Sequence, residues 1–285
     1  MRHDDLLRNS RQLKQRRIFR QWLWFASSLT AFLVIVIIMA NTSRFAIGEI
    51  KISGAQTIRE QDIETTINSV LDGRYGGIFP RRNVWLFPKA DVVAALRAQY
   101  PNLAAVSVAL SDKTTLVAKV AERAGTVRWC RDETEVTCYF ADQNGYIFSE
   151  SPEFSRGIFL SIVSDLPTDP IDLAPLETAD FKILVSLREA MARALSSSSQ
   201  SPVNIFQIQH EEGRDYALIA ESSSPERRYR VRISLDQDLD QAANNAAAAL
   251  AAPALQSELA KKETKLDYLD LRFAPKIFYK FQPGI

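Results

Sequence analysis

The residues able to do covalent or acid–base chemistry are few. Cysteine occurs twice, as Cys130 and Cys138, and histidine twice, as His3 and His210. A four-ligand zinc site built from Cys and His needs a different supply, unless carboxylates complete it. His210 stands in Gln-His-Glu-Glu-Gly, and Arg214 holds the position where a zinc-protease helix would carry its second histidine. Glu211 and Glu212 adjoin Gly213 at a turn and read as solvated carboxylates. A Gly-x-Ser-x-Gly elbow and a phosphate-binding loop are both absent. The sequence therefore predicts no enzyme, no metal and no cofactor. Net charge is +1, so nothing in the global balance points to nucleic acid.

The chemistry left is thiol oxidation. Thr126 to Cys130 and Thr137 to Ala141 flank the charged connection RDETEV, which sets the two cysteines opposite each other on a hairpin. A disulfide follows in an oxidising compartment, and two buried free thiols are the alternative. Closing so short a loop contributes about 2–3 kcal/mol by the loop-entropy relation.

The compartment is argued from one segment. Gln21 to Ala40 reads QWLWFASSLTAFLVIVIIMA, without charge from Trp22 onward. At about 1.5 Å per residue it spans a hydrocarbon core of about 30 Å. Arg2, Arg8, Arg11, Lys14, Arg16, Arg17 and Arg20 precede it against Asp4 and Asp5, while Arg44 is the nearby positive charge beyond it. The positive-inside rule then makes 1–20 a cytoplasmic tail, 21–41 a transmembrane helix and the rest extracytoplasmic. A cleaved secretory signal would have a shorter core and a small residue where Ile38 stands, so the segment reads as an uncleaved anchor.

Beyond the anchor there is room for two small domains. In the first, Ile50 and Ile52 alternate with Glu49, Lys51 and Ser53, as in a half-buried strand that Gly54 stops. Thr57 and Glu60 have capping-box spacing, and Ile63, Ile67, Val70 and Leu71 follow at helical spacing. Pro88 suits the start of a second helix lined by Val92, Leu96 and Tyr100 and ended by Pro101. Val106 to Leu110 and Leu116 to Val120 then alternate as two strands. Between the helices, the loop from Arg74 to Phe87 carries Arg81, Arg82 and Trp85. It is either a solvated loop or a surface for lipid headgroups or a partner.

The second domain continues past the cysteine hairpin. Asn144-Gly145 is a strong hairpin signal. Ile158 to Val163 reads as a strand, and Phe181, Leu184, Leu187, Met191 and Leu195 mark one face of a helix. The run Ser196 to Ser201 is predicted to end that helix in a loop. Val203 to Ile208, Asp215 to Ala220 and Tyr229 to Ile233 read as strands, the last with Arg228, Arg230 and Arg232 on one face, solvated or set for an anionic partner. Asp236 to Lys262 is an Ala-rich helix interrupted at Pro253. At the end, Leu269 and Leu271 alternate with Asp270 and Arg272. Ala274-Pro275 turns, and Lys276, Ile277, Phe278, Tyr279, Lys280 and Phe281 form a last strand.

The order strand, helix, helix, strand, strand, ending in TLVAKVAER, resembles a POTRA domain. Placed behind a single anchor and followed by CYFADQNGYIF and the terminal LDLRF strand pair, it resembles the FtsQ/DivIB family of bacterial division proteins. The resemblance implies an α+β fold with a single N-terminal transmembrane helix, a POTRA domain over 45–124 and a mixed β domain with packed helices over 125–285. It also implies a non-enzymatic protein of the plasma (inner) membrane at the division septum, with partners of the FtsB and FtsL type and a link to septal peptidoglycan synthesis. The sequence departs from the family at Ala124-Gly125, where a proline often follows the Glu-Arg pair. An edge strand can bind an extended partner by strand addition, and the resemblance directs that reading to Lys276–Phe281. A POTRA-bearing protein of polypeptide transport or envelope assembly is the alternative, but neither a repeated unit nor barrel-length strands follow.

Overall fold

The computed structural model describes residues 3–282 except 135, 156, 200, 224–225, 260 and 262–263. Arg2, Gln200 and Lys262, which entered the readings above, lie outside the described residues. The chain is a mixed α+β protein that divides into two compact units, Met1–Glu122 and Arg123–Ile285.

The first unit opens with α1 (His3–Ala40), a single helix. Its segment Phe19–Ala40 is long and apolar enough to cross a membrane. Trp22, Phe25, Phe32 and Ile38 along it are exposed, so the protein does not cover this surface itself. Then follow β1 (Glu49–Ser53), α2 (Glu60–Leu71), the short strands β2 (Arg74–Tyr75) and β3 (Phe79–Pro80), α3 (Lys89–Gln99), β4 (Leu103–Leu110) and β5 (Thr115–Glu122). Central β5 pairs antiparallel with β4 and parallel with β1. Ile63, Ile67 and Leu71 of α2 and Val92 and Leu96 of α3 bury against Val108, Leu116, Ala118 and Val120 of the sheet. Gly54 ends β1 with φ +91°, where a Cβ would lie 2.0 Å from the Val120 carbonyl oxygen. No other residue fits that approach.

Thr57 and Glu60 do not form the expected capping box. Arg59 is the N-cap of α2 and makes no side-chain cap. The Thr57 hydroxyl instead donates to the Glu122 carboxylate, which also accepts from the N–H groups of Gln56 (2.6 Å), Thr57 (3.0 Å) and Ile58 (3.2 Å). An ionised acceptor arriving from β5 makes stronger bonds than a local reach-back can offer. Burial works to raise this carboxyl, but the bonds from the Thr57 hydroxyl and the three N–H groups outweigh it and pull the pKa down to about 2.

In the second unit the chain forms β6 (Val127–Cys130), β7 (Cys138–Ala141), β8 (Ile147–Ser151), β9 (Leu160–Val163), α4 (Thr178–Ser199), β10 (Val203–His210), β11 (Asp215–Ser223), β12 (Glu226–Ser234), α5 (Leu239–Ala251), α6 (Pro253–Leu259), β13 (Leu266–Asp270) and β14 (Phe278–Phe281). The strands make one nine-stranded sheet in the order β14-β13-β12-β11-β10-β9-β6-β7-β8. Neighbours joined by turns run antiparallel. The parallel pairs β9–β10 and β12–β13 need crossovers, which α4 and the α5–α6 pair supply. Phe181, Leu184, Leu187, Met191 and Leu195 of α4 and Ala243, Ala246 and Leu250 of α5 bury in one core with Trp129, Ile162, Ile208, Leu218 and Val231. Pro253 interrupts the Ala-rich helix, as its missing N–H requires.

The serine run does not end α4, which continues to Ser199. Ser196 Oγ donates to the Ala192 carbonyl and Ser198 Oγ to that of Ala194, so these hydroxyls bond back along the helix rather than compete with it.

The depressed pKa of Glu122 has a stated sign. A carboxylate with a folded pKa below its ordinary 4.5 stabilises above that value and loses its contribution as pH falls toward 2. Thermal unfolding of the detergent-solubilised chain should show a falling Tm across that window. Glu122→Gln should lower Tm at neutral pH and flatten the acid decline.

Candidate protein-interaction edge

The last strand has one neighbour. β14 pairs antiparallel with β13 through Leu266↔Phe281, Tyr268↔Lys280, Leu269↔Tyr279 and Asp270↔Phe278, and lies at the end of the sheet. Among the described residues, its outer row of backbone groups has no strand to bond. Successive residues point to opposite faces, so Phe278 and Tyr279 flank that row from both sides, 49% and 47% exposed. Each ring has one aromatic neighbour: Phe273 stands 5.8 Å from Phe278 and Phe281 stands 5.7 Å from Tyr279, both edge-on. Lys280 is exposed in the same strand.

Lys276 and Ile277, expected within this strand, precede it. The Lys276 N–H bonds to the Phe273 carbonyl in the turn, and Ile277 packs against the core. The turn around Pro275 uses both residues, so pairing starts at Phe278.

What positions the edge is a buried charge cluster. Asp270 closes β13 and is 4% exposed. Arg272 holds it with two bonds, Nε to Oδ1 at 2.9 Å and Nη2 to Oδ2 at 2.6 Å, and sends Nη1 to Asp215 Oδ2 at 2.8 Å. Arg232 lies 3.9 Å from Asp270 Oδ2 and bonds Glu211 Oε1 at 2.8 Å. Burial alone would raise the Asp270 carboxyl, but the Arg272 hydrogen bonds and the Arg272 and Arg232 charges hold it below the usual range. The bond to Asp270 in turn raises the Arg272 guanidinium further. The row of arginines is thus divided: Arg232 is internal, Arg228 bonds Glu221 at 3.2 Å, and Arg230 is exposed.

The pairing of Arg272 with Asp270 and Asp215 has no explicit counterpart in the sequence reading. The Asp-Leu-Arg spacing alone puts both side chains on one face of a strand, which is the signal that was present. Asp142, quoted within the hairpin segment, has a comparable role. It pairs with Arg123 and accepts the N–H groups of Asn144 (2.8 Å) and Tyr146 (3.2 Å), shaping the turn at Gly145.

The other sequence-level candidates lie apart from this edge. Cys130 and Cys138 are directly opposed on β6 and β7, with Cα atoms 4.1 Å apart and a disulfide between them. In the first unit, Arg81 lies over the Tyr75 ring at 5.1 Å, and Arg82 bonds Asn68 and stands 3.5 Å from Asp72 at the end of α2. A cation there suits the negative end of the helix dipole. Both arginines are half-buried, whereas Trp85 is 64% exposed. Among the described residues no group of three or more His, Cys, Asp or Glu side chains is placed to hold a metal ion.

No protein-family model and no curated protein matches this chain.

Arg272→Ala would leave Asp270 buried without its two-point partner. The cost should be about 3–5 kcal/mol, the usual range for breaking a buried pair from one side. Denaturant unfolding measures it, and amide exchange at Phe278–Phe281 should rise while exchange in α2 stays unchanged.

Proposed function

We propose that this chain is a single-pass, non-enzymatic scaffold of the FtsQ/DivIB type, with its first unit after the anchor acting as a POTRA domain. In this reading it recruits division partners of the FtsB and FtsL type at the septum and links them to septal peptidoglycan synthesis. The observation that carries the reading is the edge strand β14, aromatic on both faces, at the end of a sheet that follows the strand, helix, helix, strand, strand unit. An extended partner segment adds there as a further strand, with backbone bonds supplying affinity and Phe278 and Tyr279 supplying apolar contact. The scarcity of acid, base and nucleophile groups supports binding over catalysis. The exposed apolar segment Phe19–Ala40 supports a membrane anchor, and the basic residues before it support a cytoplasmic N-terminus.

Capture of a tagged FtsB-type partner by the full chain tests the edge. Tyr279→Ala should weaken recovery about 10-fold or more, as truncation of an interface aromatic does, with unchanged thermal unfolding. Wild-type recovery would move the docking site elsewhere.

Topology is tested separately. An alkaline phosphatase fusion at about residue 150 should be active, and a cytoplasmic reporter at the same place inactive. The reverse pattern would overturn the orientation.

A further inference from the structure

The end of α1 is tied to the loop between α2 and α3. The Ala40 carbonyl, one of those a helix leaves without a partner at its C-terminus, accepts Asn83 Nδ2 at 2.9 Å. Asn41 Nδ2 donates to the Ile78 carbonyl at 3.2 Å, and Arg74 Nη1 donates to Asn41 Oδ1 at 3.0 Å. Backbone bonds from Ile47 N to Arg82 O (2.8 Å) and Val84 N to Phe45 O (2.9 Å) complete the seam. The loop is therefore fixed at the level where the helix ends.

Between helix and loop lies a groove of about 450 Å³ lined by Val36, Met39, Ala40, Tyr75, Phe79, Asn83, Trp85 and Leu86. The surface it presents is apolar, although Asn83 stands among the lining residues. The Asn83 amide is already used, Nδ2 on Ala40 and Oδ1 on the Trp85 N–H at 2.9 Å. The groove thus offers water no partners. Trp85 packs tilted against Phe45 with ring centroids 4.4 Å apart yet is 64% exposed, and Ile78, at the loop's tip, is 47% exposed. Val36 and Met39 belong to the apolar segment itself, and the wall descends the helix by about 7.5 Å, five residues at 1.5 Å each.

We propose that this groove seats the upper acyl segment of a membrane phospholipid, with the loop lying in the interfacial layer. The inference rests on the reading that α1 crosses a bilayer. Then the face carrying Val36 and Met39 meets hydrocarbon, and the groove is continuous with it. Tyr75 and Trp85 stand at the depth where amphipathic rings favour the interface. Arg44, in the turn after the helix, and Arg74, bonded at its end, put positive charge at headgroup level. A neighbouring transmembrane helix is the poorer occupant. The volume accommodates about one turn of a helix roughly 10 Å across, whereas a single acyl chain enters from the bilayer side.

The test uses the full chain in phosphatidylcholine and phosphatidylglycerol vesicles whose acyl chains carry bromine near the headgroup or near the chain end. Trp22→Phe with Trp24→Phe leaves Trp85 and Trp129, and adding Trp85→Phe isolates the Trp85 signal by difference. That signal should lose most of its emission with bromine near the headgroup and less with bromine near the chain end. If Trp22 and Trp24 of the wild type are quenched while Trp85 is not, the groove is filled by protein or by water and the proposal fails, although the anchor stands. If none is quenched, α1 is not in the bilayer and both readings fall.

Discussion

A carboxylate buried in a sheet has to be paired, and the pairing of Asp270 organises the β13 end of the second unit's sheet. Asp270 belongs to β13, Arg232 to β12 and Asp215 to β11, while Glu211 follows β10. Arg272 and Arg232 bridge these carboxylates, so one charge cluster ties together the ends of four neighbouring strands. Removing the arginines would strand Asp270, the buried member of the cluster, without its charged partners. β14 hangs from this cluster, because Arg272 starts the turn that returns the chain to its last pairing.

The sequence made local periodicities legible. Ile63, Ile67 and Leu71, the α4 face from Phe181 to Leu195 and the alternation of Tyr229, Val231 and Ile233 are buried where spacing places them, and the helix breaks at Pro253 as expected. These signals depend on neighbours within a few residues. One departure depended on a distant one. Thr57 was drawn from its local cap by Glu122, a residue 65 positions away in the chain. Ser196 and Ser198 stayed helical because their hydroxyls bond back along a helix already held by Leu195 in the core. The start of β14 slipped from Lys276 to Phe278 because the turn claimed two residues. The joining of β6 to β9, which merges two hairpin groups into one nine-stranded sheet, has no local signature.

The candidate site was legible as a strand and not as a device. Alternation located Phe278 to Phe281 and the family resemblance pointed to it as an edge, while its charged support emerged only from the structure. The two exposed features, the aromatic edge of the second unit and the Trp85 loop of the first, belong to separate compact units. The lipid contact and the protein contact proposed for them share no residues.

From β10 to β14 the spatial order of strands follows the order of synthesis. Each strand finds its neighbour already made, so the sheet can grow by accretion as the chain emerges N-terminus first. The aromatic edge is the final layer of that growth. Until β14 is in place, β13 is the exposed border, and it lacks the Phe278 and Tyr279 pair. In the proposed reading, binding at this edge is thereby coupled to completion of the unit, because a chain that has not yet formed β14 lacks the Phe278 and Tyr279 surface.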